Sequence, residues 1–133
     1  MRENETAHSY ADTWIEQGIL YLVYKQGLII DLQVAKTIVA ERLEWQQGVT
    51  YPMVIDARAI DSVDDDAREY FTTEEATRFV SAGAIYLEST VRNIFTLIAG
   101  NIFLKVDEPP IPTRLFTQKE EALSWLEPYK ALN

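Results

Sequence analysis

The sequence predicts a single α/β domain: a mostly parallel, mixed β-sheet with helices on its faces and a hairpin near the N-terminus. Three observations predict it. Short runs of aromatic and branched residues alternate with segments whose apolar residues recur every three to four positions, the pattern of strands alternating with helices. A proline-stiffened connector over 109–112 leads into a short strand and a capped amphipathic helix that would close such a domain. Apolar residues make up 47% of the 133 positions, enough for a core between layers of this size.

The elements follow in chain order. Residues 1–9 are polar and are expected to form a disordered tail, leaving 10–133 as the domain. The hairpin spans 10–25. Trp14 and Ile15 lie on one arm and Ile19, Leu20, Tyr21, Leu22, Val23 and Tyr24 on the other, with Gln17-Gly18 at the turn. The second arm is apolar throughout, as in a strand buried on both faces. Gly27 turns the chain, and Leu28, Ile29 and Ile30 add a short extended piece. Asp31 is an N-cap for a helix that buries Leu32, Ala35, Ile38, Val39 and Leu43, runs to about Gln47 and stops at Gly48.

Residues 51–56 form an apolar run ending in Asp56, the pattern of a central strand. Asp64, Asp65 and Asp66 open a second helix, where their charges complement the helix dipole, and Ala67, Tyr70 and Phe71 mark its buried face. Thr72 and Glu75 have capping-box spacing, which predicts that the helix restarts there and continues through Ala76, Phe79 and Val80 to Gly83. A strand over 84–87 follows. Ser89 or Thr90 then caps a third helix in which Val91, Ile94, Phe95, Ile98 and Ile102 repeat at helical spacing. The last strand is Arg114, Leu115 and Phe116. Thr117 and Glu120 cap the final helix, which docks through Ala122, Leu123, Trp125 and Leu126 and ends at Pro128.

Composition excludes several function classes. The sequence has no Cys, which removes disulfides, thiolate catalysis and Cys-ligated metals. Its single His, His8, lies in the polar N-terminal segment, so no His-based triad is expected in the folded body. The net charge of −9 opposes binding to nucleic acid or anionic membrane. No apolar run approaches the ~18 residues of a membrane span. A cytoplasmic, non-enzymatic protein with no cofactor and no metal is the expectation.

The motifs Asp56-Ala57-Arg58 and Ala67-Arg68-Glu69-Tyr70, the helix over 89–103, and Pro112-Thr113-Arg114-Leu115-Phe116 with Ala122, Trp125 and Leu126 together resemble the STAS-like superfamily. That superfamily includes the bacterial anti-sigma-factor antagonists and the related CRAL-TRIO-like lipid-binding proteins. The resemblance extends over 10–126 and is most specific to a bacterial group of STAS/CRAL-TRIO-like domain proteins. It implies a regulatory or binding module. In the antagonists, a partner kinase phosphorylates a Ser at the start of the helix that follows a strand ending in Asp. Here the corresponding stretch carries Asp64, Asp65 and Asp66, with Asp65 at the expected Ser position and Ser62 earlier in the loop.

The candidate interaction or ligand residues are Asp56, Arg58, Asp65, Arg68, Tyr70, Ser89, Thr90, Asn93 and Leu97. Asp56, Arg58, Ser89, Thr90 and Asn93 fall at or just after strand ends, where open α/β sheets gather ligands. Ser89, Thr90 and the amides of that helix start, with Arg92, have the chemistry to hold an anion, or simply to cap the helix. The run over 61–66 lacks EF-hand spacing and reads as solvated dipole partners. Arg68 and Glu69, with Tyr70, are either part of a recognition face or a surface ion pair on a helix. Leu97, Leu104 and Val106 widen the apolar stripe of the third helix beyond one face, which means either deep burial in the core or a second contact. Two functions follow. The first is a module that binds another protein or a second copy of itself through 61–70 and the third helix. The alternative is a carrier or sensor for a small apolar or lipid-like ligand, held between that helix and the sheet.

Overall fold

The computed structural model describes residues 1–90, 92–93, 100 and 109–131. Its centre is a six-stranded sheet in the order β1-β2-β3-β5-β7-β8. The strands are β1 (Glu3–Ala7), β2 (Ala11–Glu16), β3 (Ile19–Tyr24), β5 (Tyr51–Asp56), β7 (Val80–Tyr86) and β8 (Thr113–Phe116). β1, β2 and β3 pair antiparallel, whereas β3, β5, β7 and β8 pair parallel. The mixed, mostly parallel α/β architecture is therefore the one expected. Two further strands, β4 (Ile29–Ile30) and β6 (Ser62–Val63), pair parallel in a separate small sheet.

Among the described residues, the helices with both ends defined are α1 (Leu32–Gln46), α2 (Asp65–Phe71), α3 (Glu74–Thr77) and α4 (Lys119–Leu126), the last followed by a 3-10 turn over Glu127–Tyr129 that contains Pro128. Among the described residues no helix is long and apolar enough to cross a membrane.

The two-residue periodicity of the strands divides the core into two layers. On one face Leu20, Leu22, Tyr24 and Met53 pack with Ala35 and Ile38 of α1 and Ala67 of α2. On the other, Ile19, Tyr21, Val54, Ala82, Ala84 and Phe116 pack with Ala122 and Leu126 of α4. Ala82 and Ala84 are wholly buried, as is Leu126, so the small side chains of β7 let α4 approach the sheet closely. Trp14 and Tyr21 stack at 5.1 Å on this second face, with the Arg2 guanidinium 3.8 Å above the Trp14 ring.

The local signals explain most boundaries. Gln17 and Gly18 both have positive φ, the geometry of a two-residue turn matched to hairpin twist. The Asp31 carboxylate accepts from the Val34 amide at 2.8 Å and starts α1. Gln47 takes the left-handed conformation that ends it.

Three expectations are corrected. Residues 1–9 are not a disordered tail, because they contain β1. Its polar residues give no apolar alternation, yet the strand pairs with β2 and is held to α1 by a hydrogen bond from Trp45 Nε1 to Thr6 Oγ1 at 2.9 Å. The segment after Thr72 is not a long helix. Thr73, not Thr72, caps α3 by accepting from the Ala76 amide, and α3 stops after one turn. Arg78 is extended, Phe79 has a positive φ of 61°, and the chain then enters β7 at Val80. Finally, α4 starts after an extended Gln118 that makes no side-chain cap, so the Thr117–Glu120 capping box does not form.

The reversal at Phe79 is fixed by an interior cation. Arg42 of α1 is 2% exposed. It donates to the carbonyls of Ala76 at 2.8 Å and Arg78 at 3.0 Å, and to Gln46 Oε1. Gln46 in turn donates to the carbonyls of Val49 and Phe79, each at 2.9 Å. Burial pulls the Arg42 pKa down to about 10.

Candidate functional site

The carboxyl ends of β5, β7 and β8 lie side by side, with Asp56 opposite Tyr86 and Tyr86 opposite Phe116 in register. Backbone bonds continue this alignment past the strands, from the Ala57 amide to the Tyr86 carbonyl and from the Leu87 amide to the Phe116 carbonyl, both 2.9 Å. Beyond these ends opens a cleft of about 880 Å³. Its floor and walls include Asp56, Arg58, Ile60, Asp61, Tyr86, Glu88, Ser89 and Thr90. This is the place where parallel sheets expose unfilled space between diverging connections.

Arg58 is held within the cleft by Asp56. Its Nε donates to Asp56 Oδ1 at 3.0 Å and its Nη2 to Asp56 Oδ2 at 2.8 Å, a bidentate fork. The guanidinium lies 4.6 Å from the centre of the Tyr86 ring. The hydrogen bond to Asp56 is the main cause that raises the Arg58 pKa, against a smaller opposing effect of burial.

The far wall is set by the helix start after β7. The Thr90 hydroxyl accepts from the Asn93 amide at 3.1 Å, and Asn93 Nδ2 donates to the Glu88 carbonyl at 3.0 Å. Thr90 is thus the cap, and Asn93 orders the rim. On the near side, Gly27 donates to the Ala59 carbonyl at 2.8 Å and Asp61 to the Leu28 carbonyl at 2.9 Å. These bonds tie the loop before β4 to the loop before β6.

The structure therefore brings Asp56, Arg58, Ser89, Thr90 and Asn93 together. It places Asp65, Arg68 and Tyr70 apart from them, on α2. There Arg68 and Asp65 pair at 2.6 Å, with both side chains largely exposed. Tyr70 packs against the core and donates to Glu75 Oε2 at 2.6 Å. Burial first, and then that bond, push its phenol up to about 12. Leu97 and the apolar stripe of the third helix lie outside the described residues.

Sequence reasoning missed Tyr86 and Glu88, although the rule that ligands gather at strand ends points to both. It also missed Gln26, Gly27, Thr117 and Gln118, which reach the cleft only through the pairing of β4 with β6 and the turn into α4. No local sequence signal marks them.

Two comparisons bear on this geometry. A family model described as "Domain of unknown function (DUF7793)" matches residues 13–130. No curated protein matches the chain significantly. Among solved structures, the chain is similar to an uncharacterized protein of the DUF3478 family from Shewanella loihica PV-4, whose crystal structure has a SpoIIAA-like fold. The TM-score is 0.56 at 16% identity, covering 91% of this chain and 98% of that one. The fold is thus SpoIIAA-like, as the STAS-like resemblance implied.

Proposed function

The chain belongs to the DUF7793 family, and from that premise we propose that it is a non-enzymatic regulatory module of STAS-like type that works by binding another protein. One observation carries this reading. The segment over 61–71 is rigidly anchored, yet it faces solvent with carboxylates. Its anchors are the β4–β6 pairing, the bond from the Asp64 amide to the Ile30 carbonyl at 2.9 Å, and the fully buried Ala67. Its solvent face carries Asp61, Asp64, Asp65, Asp66 and Glu69, all exposed. A face that is fixed in shape and strongly charged suits selective protein docking, since fixed charges steer encounter and reject wrong partners.

Asp65 supplies a permanent negative charge at the start of α2, where the STAS-like resemblance implies a phosphorylated Ser. In this reading the module is constitutively in the charged state. Asp65→Ser is expected to weaken the complex.

The test is site-specific photo-crosslinking in the native host. Benzoylphenylalanine is placed at position 68 of α2 or, as a control, at position 121 of α4. The reading expects a discrete cross-linked polypeptide at 68 that is absent at 121. Adducts that are identical at both positions, or absent from both, would overturn it.

A further inference from the structure

The cleft at the ends of β5, β7 and β8 has its hydrogen-bonding capacity divided unevenly. Several of its donors are engaged within the chain. The Arg58 amide and side chain donate to Asp56, the Gly27 amide to Ala59, the Asp61 amide to Leu28 and the Thr90 amide to Glu88. The Thr90 hydroxyl oxygen accepts from the Asn93 amide. One face of the Arg58 guanidinium is stacked on Tyr86. The acceptors are differently placed: Asp61 and Glu88 line the cleft and are exposed. Among the described lining residues, Asp56, Asp61 and Glu88 outnumber the single cation Arg58.

An anion entering here would meet a net negative wall. A cation carrying several N–H groups would meet free carboxylate oxygens in complementary charge. The cleft also offers an apolar surface at Ile60 and Tyr86, and Ile29, two residues beyond Gly27, is 60% exposed. Aliphatic stems of Lys or Arg lie well on such a surface while their heads reach carboxylates. We propose that this cleft is the docking groove for a basic segment of a partner protein, with Lys or Arg side chains bound between Asp61 and Glu88. The proposal rests on the interaction reading above and names the chemistry of the partner. The carboxylates at the start of α2 extend the same negative field beside the groove and would steer the basic segment towards it.

The test is NMR titration of the full chain with a hexaarginine peptide, and with hexaglutamate as the counter-probe. Amide shifts are expected to concentrate at Gly27, Ala59, Asp61, Thr90 and Gln118. The double variant Asp61→Asn/Glu88→Gln is expected to weaken binding about 10-fold, the loss of two partly screened ion pairs. Glu44→Gln/Glu121→Gln changes the net charge equally at exposed sites that do not line the cleft, and is expected to change the affinity less than about 2-fold. Shifts spread over the whole surface, equal weakening by both double variants, or comparable binding of hexaglutamate would overturn the assignment. If that happens while the position-68 cross-link persists, the basic segment is wrong and the interaction reading stands. Groove-specific hexaarginine binding without any cross-link separates the two in the opposite direction.

Discussion

Replacing Arg42 by Met tests whether an interior cation, rather than apolar contact, fixes the passage from α3 into β7. Met keeps much of the volume and removes every donor. Three acceptors then lose their partner: the Ala76 carbonyl, the Gln46 side-chain oxygen and the Arg78 carbonyl. The first two bonds lie in the interior, and an orphaned buried acceptor costs ~1–3 kcal/mol. The Arg78 carbonyl is only partly buried and water can reach it. Against this stands the relief of burying a guanidinium, a few kcal/mol at most once its hydrogen bonds are counted. The two orphaned acceptors cost ~2–6 kcal/mol together and the relief offsets about half of that, so the balance is a loss of about 2 kcal/mol. With an m-value of about 2 kcal/mol per M, the urea midpoint falls by about 1 M. Arg42→Lys keeps the charge but lacks the planar fork that serves two carbonyls, and is expected to lose about half as much. The assay is equilibrium urea unfolding followed by far-UV circular dichroism and Trp fluorescence. An Arg42→Met protein within about 0.5 kcal/mol of the parent would refute the reasoning.

Other perturbations reach different parts of the account. Leu126→Ala empties a fully buried site between α4 and the sheet and is expected to cost ~2–5 kcal/mol in the same assay. Asp31→Ala removes the cap of α1 and should cost ~1 kcal/mol. Trp45→Phe deletes the bond that ties β1 to α1; hydrogen exchange should quicken at Thr6 and Ala7 while β5 and β7 stay protected. The alkaline limb of stability should depend on Tyr24, whose phenol is buried and whose pKa is raised above the ordinary 10. The unfolded chain ionises there first, so stability present below pH 10 is lost as pH rises above it. Arg42 acts oppositely, because burial pulls its pKa in the folded state down to about 10, below that of the unfolded chain. Tyr24→Phe is therefore expected to flatten the fall, read as the urea midpoint between pH 9 and 11.

The fold was legible wherever apolar periodicity and end signals agreed. The Gln17-Gly18 turn, the Asp31 cap and the run ending at Asp56 each carry their own local cause, and each lies where the pattern placed it. β1 was not legible, because a polar edge strand depends on its neighbour's backbone and on Trp45, which is distant in sequence. The stretch over 72–83 misled for a related reason. Thr72 and Glu75 have the right spacing for a cap, but Arg42 and Gln46 seize the carbonyls of Ala76, Arg78 and Phe79 and favour a reversal. Tertiary hydrogen bonds there outweigh local propensity. At the candidate site, Asp56, Arg58, Ser89 and Thr90 were readable from their position after strands. Tyr86 and Gly27 join them only because parallel pairing aligns three strand ends and β4 meets β6.

Native mass spectrometry of the protein purified gently from its host tests the central claim most directly. The account predicts a complex with a second polypeptide that bears a basic segment, and loss of that complex in Asp61→Asn/Glu88→Gln. A chain that instead carries a stoichiometric apolar molecule of a few hundred daltons, unaffected by that double variant, would contradict it.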